Sequence, residues 1–414
     1  MKVTATTVRA LALSAALAAA ASFVIGAPAL AADQQKNSAK LAKPLKEAND
    51  AIKAKKYAEA IAKLKEAEGT AGKTPYDQHL INDMLAFAEI KTQNLGEAAK
   101  AMEAELDDGF TPQSEMAQKV RALAEINYQL KNYEKAIEFG NRAIKGGFAD
   151  EQIRAIVGQS YYLKGDWKGT LKFEEQVADN QIKAGETPKS ETLQLVLSAC
   201  VKLSDNACET RALERLVTYY PKPDYWYQLL FTLRQQTTGN DPNTLQTYRL
   251  MSEVDVLKSA DDYSEMAQLA LETGSPGEAQ RILEKGFAKG VFTEQRVKDR
   301  NQRLLESAKK TAATDQASLP KIEREAQSAP DGNKYVGLGL AYYGYGQYDK
   351  AADALAQGLS KGGVKSEAQA RLLLGIAQLK AGHKEDAVKS FHSVKGDPAL
   401  ERLASLWNLH AKQA

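Results

Sequence analysis

Cysteine, histidine and proline are scarce in this sequence of 414 residues, which holds two, four and twelve of them. Two cysteines exclude a disulfide framework as the main source of stability. The histidines (His79, His383, His392 and His410) are scattered, with no HExxH pair and no zinc-ligand spacing. No GxSxG elbow and no phosphate-binding GxxxxGK[ST] loop occurs. Ser307 to Lys310 reads SxxK and Ser204-Asp205-Asn206 reads SDN. Their order is reversed relative to the serine enzymes that use both, and no KTG follows, so chance accounts for them. No catalytic residue, metal site or cofactor is expected. Charge of one sign is also lacking, with 55 Lys and Arg against 53 Asp and Glu. Such a balance gives no electrostatic footprint for nucleic acid or an anionic membrane. Beyond the N-terminus no stretch approaches 18 apolar residues, so no spanning helix is expected there.

The N-terminus is where apolar residues do run together. Lys2 and Arg9 precede the Ala- and Leu-rich run Ala10 to Ile25, and Ala29-Leu30-Ala31 supplies a small-x-small site before the chain turns polar at Asp33. This is the pattern of a cleavable secretory signal, which predicts export to the periplasm and cleavage after Ala31. Cleavage removes Lys2 and Arg9 and no acidic residue, so the mature charges balance. No Cys follows the run, so an N-terminal lipid anchor is not available.

Ala, Leu, Lys, Glu and Gln dominate the remainder, the composition of a helical chain. Two segments near the C-terminus align without gaps at an offset of 36 residues. Tyr335, Leu338, Gly339, Tyr342, Tyr348, Ala351 and Leu355 of one fall opposite Arg371, Leu374, Gly375, Gln378, Lys384, Ala387 and Phe391 of the other. Upstream, Gly158, Tyr161, Gly165 and Trp167 mark another unit, with Thr170 where Ala is usual. Second-helix matches begin at Tyr57, Leu95, Tyr133 and Pro276. These segments resemble the tetratricopeptide repeat. The resemblance implies an all-α, right-handed solenoid of stacked antiparallel helix pairs.

The expected organisation follows. Residues 1–31 are the signal, and residues 32–292 form an array of about seven helical pairs, two of them irregular. Residues 293–331 form a degenerate pair, with helices over Thr293–Thr311 and after Asp315. Residues 332–396 form two well-matched units. Residues 397–414 form a C-terminal capping helix, with Leu400, Leu403, Leu406, Trp407 and His410 on its apolar side. Small residues such as Gly339 and Ala351 sit where paired helices approach closely, and one pair cannot bury its apolar face alone, so neighbours stack. Gly165, Gly274, Gly346 and Gly382 fall between paired helices, and Gly109, Gly147 and Gly290 precede an apolar residue as left-handed C-caps.

Cys200 and Cys208 lie four residues either side of Ser204 in a predicted elbow. In an oxidising compartment this predicts a disulfide, the alternative being two small buried thiols. The joint YYPKPDYW places Tyr225, Trp226 and Tyr227 together, either as an exposed aromatic patch or as packing between hairpins. In the repeat family, first helices line the concave face. On that face Arg121, Glu125, Tyr128, Gln152, Gln159, Tyr162 and Tyr343 form a polar, aromatic groove suited to an extended peptide. The alternative is that the rings fill the spaces between neighbouring first helices. Tyr345 is expected to be exposed near its helix end. The leading expectation is a non-catalytic periplasmic scaffold that binds a protein or peptide of the cell envelope. The plan is similar to exported bacterial repeat proteins that in some cases accompany TonB-type machinery. A carbohydrate or peptidoglycan binder, using Trp226 beside Asp224 and Gln228, is the alternative.

Overall fold

One left-handed residue sets each elbow. Gly165, Gly274, Gly346 and Gly382 have φ of 82°, 79°, 73° and 87°, as the turn chemistry requires. The C-caps Gly109, Gly147 and Gly290 have φ of 80°, 76° and 67°, and the Phe148 N–H donates back to the Ala143 carbonyl at 2.8 Å. Four further elbows place side-chain-bearing residues in the same conformation: Lys55, Gln93, Lys131 and Ser204, at φ of 60°, 62°, 61° and 54°. No glycine announces them in the sequence.

The computed structural model describes residues 38–236, 239 and 241–413, which hold twenty α-helices and no strand. The expected signal peptide lies outside the described residues. The chain divides into two units, residues 1–206 and 207–414.

In the first unit the helices are α1 (Ala42–Lys53), α2 (Tyr57–Glu68), α3 (Pro75–Lys91), α4 (Leu95–Asp107), α5 (Gln113–Gln129), α6 (Tyr133–Lys145), α7 (Glu151–Lys164), α8 (Trp167–Lys183) and α9 (Ser190–Lys202). Each second helix packs on its own first helix and on the next one. The first helices also touch one another, as α1 with α3, α5 with α7 and α7 with α9. The core grows between them without interruption, from Leu41, Leu45, Leu64 and Ile81 to Met102, Leu123, Phe139 and Ile153.

The second unit holds α10 (Asn206–Tyr219), α11 (Pro223–Gln236), α12 (Asp241–Glu253), α13 (Ala260–Glu272), α14 (Pro276–Ala288), α15 (Gln295–Ser328), α16 (Asn333–Gly344), α17 (Tyr348–Lys361), α18 (Glu367–Lys380), α19 (Lys384–His392) and α20 (Pro398–Gln413). Close packing is visible at Gly339, where an added Cβ would lie 2.6 Å from Leu355 Cγ. The expected degenerate pair at 293–331 is instead one helix of 34 residues, α15. Nothing between Thr311 and Asp315 turns the chain: Ala312 and Ala313 favour helix, and no glycine offers a left-handed residue. Pro320 lies inside α15 without ending it. Asn301, Leu305, Ala308 and Ala312 form the buried stripe of its first half, and Leu319 and Ala326 that of its second.

The terminal helix α20 does more than cover the last hairpin. It packs on α18 and α19 and also on α12. Gln413 Nε2 donates to the Val217 carbonyl at 2.9 Å, and Arg402 pairs with Glu214 at 2.8 Å. His410 stands edge-on to Trp226, with ring centroids 6.5 Å apart. The unit is therefore closed between its first and last helices, and Asn243 to Met251 of α12 are buried on every side. Overall the fold is all-α, a solenoid of stacked helix pairs with a distinct terminal helix.

Candidate functional site

The first-helix face of the first unit carries the site. Tyr128, near the end of α5, donates from its hydroxyl to Gln159 Oε1 of α7 at 2.6 Å. One repeat on, the Tyr162 hydroxyl meets Ser198 Oγ of α9 at 3.0 Å. Each ring also leans on the aromatic residue that opens the following second helix. Tyr128 lies 6.2 Å from Tyr133, and Tyr162 lies 5.1 Å from Trp167. The two tyrosines thus serve successive grooves, and both are half-buried. Burial pushes the Tyr128 hydroxyl above its ordinary pKa, with Tyr133 adding to it.

Beside Tyr128 a cleft of 310 Å³ is lined by Glu125, Gln129, Lys131, Tyr133, Gln152, Ile156 and Leu163 as well as Tyr128 itself. Gln152 Nε2 donates to Glu125 at 3.4 Å. Burial raises the Glu125 carboxyl, and Arg121 opposes that rise. Arg121 is itself paired with Asp150 at the cap of α7. The structure therefore brings Glu125, Tyr128, Gln152 and Gln159 together, with Arg121 at their edge. Sequence reasoning missed Gln129, Lys131, Tyr133, Ile156 and Leu163. A larger, shallow depression of 490 Å³ follows one face of α8 alone, and no second element contributes to it.

Two expected site residues belong elsewhere. Tyr343 is buried in the second unit. Its ring lies between the guanidinium groups of Arg249 and Arg281, at 5.1 and 5.8 Å. Arg249 is held by two hydrogen bonds to Glu278, of 2.8 and 2.6 Å. Tyr343 is a core residue there because α12 and α14 close over it, so it is not part of an open groove. Trp226 is likewise buried, against His410 of α20, and offers no free ring face to a sugar. Tyr225 and Tyr227 remain half-buried, with Lys258 Nζ 4.3 Å from the centre of the Tyr227 ring. Tyr345 is half-buried, not exposed. Its hydroxyl donates to the Ala312 carbonyl of α15 at 3.1 Å.

Below the groove, a buried charge cluster fixes α5 against α3 and α4. Lys119 pairs with Asp83 at 2.7 Å, with Glu115 at 3.4 Å and with Glu105. Desolvation pushes the Glu105 carboxyl up to about 7, Asp83 adding to this and Lys119 opposing it. His79 Nδ1 meets Asp108 at 3.0 Å in the same layer. Cys200 and Cys208 are both buried and both disulfide-bonded. Among the described residues no group of three or more His, Cys, Asp or Glu is placed to hold a metal ion, and no helix is long and apolar enough to cross a membrane.

Residues 84–151 and 336–399 match the tetratricopeptide repeat family. No curated protein matches the chain. Among solved structures it is similar to a chain of the Naa15/Naa10 complex bound to HypK-THB, at 16% identity and a TM-score of 0.39. That match covers 89% of this chain and spans 60% of the other. A tetratricopeptide repeat protein from Parabacteroides merdae is 13% identical, with a TM-score of 0.28 over 81% of this chain and 98% of that one. Yeast Tom70 is 12% identical, with a TM-score of 0.24 over 90% and 95%. The two matched spans, one in each unit, together cover less than half of the chain, and helix pairs continue through α1–α2, α7–α8 and α13–α14 outside them.

Proposed function

We propose that the protein is an exported, non-catalytic scaffold that holds an extended segment of another envelope protein across the first-helix face of α3 to α9. One observation carries this: the cleft beside Tyr128 is lined from two successive repeats and stays accessible, whereas Tyr343, its counterpart in the second unit, is buried under two arginines. Carboxamides and hydroxyls at Gln129, Gln152 and Tyr133 line the cleft and suit main-chain hydrogen bonds of an extended ligand. Balanced charge supports a protein partner over a nucleic acid. The N-terminal pattern of Lys2, Arg9 and Ala29-Leu30-Ala31 supports export. The resemblance in plan to exported repeat proteins makes TonB-type envelope machinery the first place to look for the partner.

The test replaces Tyr128 and Tyr162 together by Ala and repeats crosslinking in the native compartment. Crosslinked partners should be lost while helical circular dichroism is retained. An unchanged crosslinking pattern contradicts the groove. Cell fractionation checks the compartment: mature protein starting at Ala32 should appear in the periplasmic fraction, and retention of the full-length chain in the cytoplasm contradicts export.

A further inference from the structure

The elbows of the first unit all lie along one edge of the stack, because every first helix runs in the same direction. Three features mark that edge. Lys55, Lys91, Lys131 and Lys202 stand at or beside its elbows, and none of them forms an ion pair among the described residues. Lys91 and Lys202 are exposed and place their ammonium nitrogens over the rings of Phe87 and Trp167, at 5.3 and 5.7 Å. Two other elbow cations are already paired, Lys56 with Glu59 at 3.4 Å and Lys164 with Glu134 at 2.8 Å.

Exposed apolar side chains also lie on this edge, while Ile182 is exposed at the far end of α8. Leu130, Leu163 and Val201 are 36%, 43% and 44% accessible at the ends of α5, α7 and α9. At the opposite edge acidic residues outnumber basic ones, with Glu68, Asp107, Asp108, Asp150, Glu151 and Glu186 against Lys73, Lys145, Lys183 and Lys189 in and beside the loops between hairpins. A chain of balanced total charge is thus polarised across this unit. Thirdly, Lys55 and Lys131 hold left-handed backbone where Gly165 does the same work in a later elbow. A lysine kept where glycine is easier strains the backbone, and unfavourable backbone of this kind gathers at functional surfaces.

We propose that the bound segment is acidic and aliphatic and lies along this elbow edge. Lys91, Lys131 and Lys202 pair with its carboxylates, while Leu130, Leu163 and Val201 receive its apolar side chains. The proposal rests on the groove described above and adds the chemistry of its ligand. The cleft beside Tyr128 opens onto this edge, since Lys131 and Leu163 belong to both.

Fluorescence anisotropy of the mature protein with three labelled peptides tests it: repeating Asp-Leu-Ser, its neutral Asn-Leu-Ser counterpart and the basic Lys-Leu-Ser. The Asp peptide should bind tightest, weakening as salt is added. The triple variant K91E/K131E/K202E should bind it about tenfold more weakly and gain affinity for the Lys peptide, a gain that misfolding would not produce. Equal binding of the Asp and Asn peptides, insensitive to the triple variant but lost in Tyr128→Ala, overturns this inference and leaves the groove. Failure of all three peptides to bind overturns the groove and the inference together.

Discussion

Glu174 occupies a place that other second helices give to Leu64, Met102, Leu283, Leu355 and Phe391, four residues after the close-contact position. It is 3% exposed. Desolvation pushes its carboxyl up to about 7, against a hydrogen bond from Thr192 that lowers it. In the unfolded chain the group titrates near 4.5. A carboxyl whose folded pKa is raised contributes its full stability below the unfolded value. That stability is lost as pH rises through the folded one. The gap corresponds to about 3 kcal/mol above pH ~8, and to under about 1 kcal/mol at pH ~5. Glu174→Gln keeps the shape and removes the titration. Glu174→Leu restores an apolar residue, and Gly158 leaves it the space that Gly339 leaves Leu355. Both variants should therefore exceed the parent in stability at high pH and approach it at low pH. Hydrogen exchange of α7 and α8 is the assay, because stacked hairpins open locally and a global midpoint would mix them. Glu105 also titrates near 7, so the comparison is variant against parent at each pH. A stability difference that is the same at about pH 5 and about pH 8.5 refutes the assignment.

Removing Lys119 leaves Glu105 buried without its cation. Lys119→Met should cost about 3–5 kcal/mol at neutral pH, shrink on acidification, and be largely recovered by adding Glu105→Gln, all followed by thermal denaturation. Lys131→Gly relieves left-handed backbone and should stabilise the first unit by about 1 kcal/mol or less, measured by the same method; a loss of stability would show that the lysine side chain has a packing role. Thiol titration of the oxidised, denatured protein should find no reactive cysteine, and two reactive thiols would show that Cys200 and Cys208 are unlinked.

Local chemistry was legible in the sequence wherever one residue type carries it alone. The glycine elbows and C-caps fall where expected, because only a residue without Cβ adopts that conformation freely. The left-handed Lys55, Gln93 and Lys131 were not legible, since such positions are recognised by composition and these have none. The long helix α15 was missed for a related reason: a repeat period predicts a break, but the chain at Thr311–Asp315 contains nothing that makes one. Tyr128 and Tyr343 occupy equivalent repeat positions, and sequence alone gives them equal claims. What separates them is distant chain. Arg249 and Arg281 close over Tyr343, while α20 returns across a sequence separation of 196 residues to meet α10. A repeat pattern describes neighbours and carries no record of such returns.

The central claim is that partners bind the open first-helix face of the first unit and not the second. Site-specific photocrosslinking in living cells tests it most directly, with a crosslinking residue placed at Leu163 on the cleft rim or at Gln268, an exposed position on α13. The account predicts one dominant adduct from Leu163 and none from Gln268. An adduct from Gln268 with none from Leu163 would contradict it.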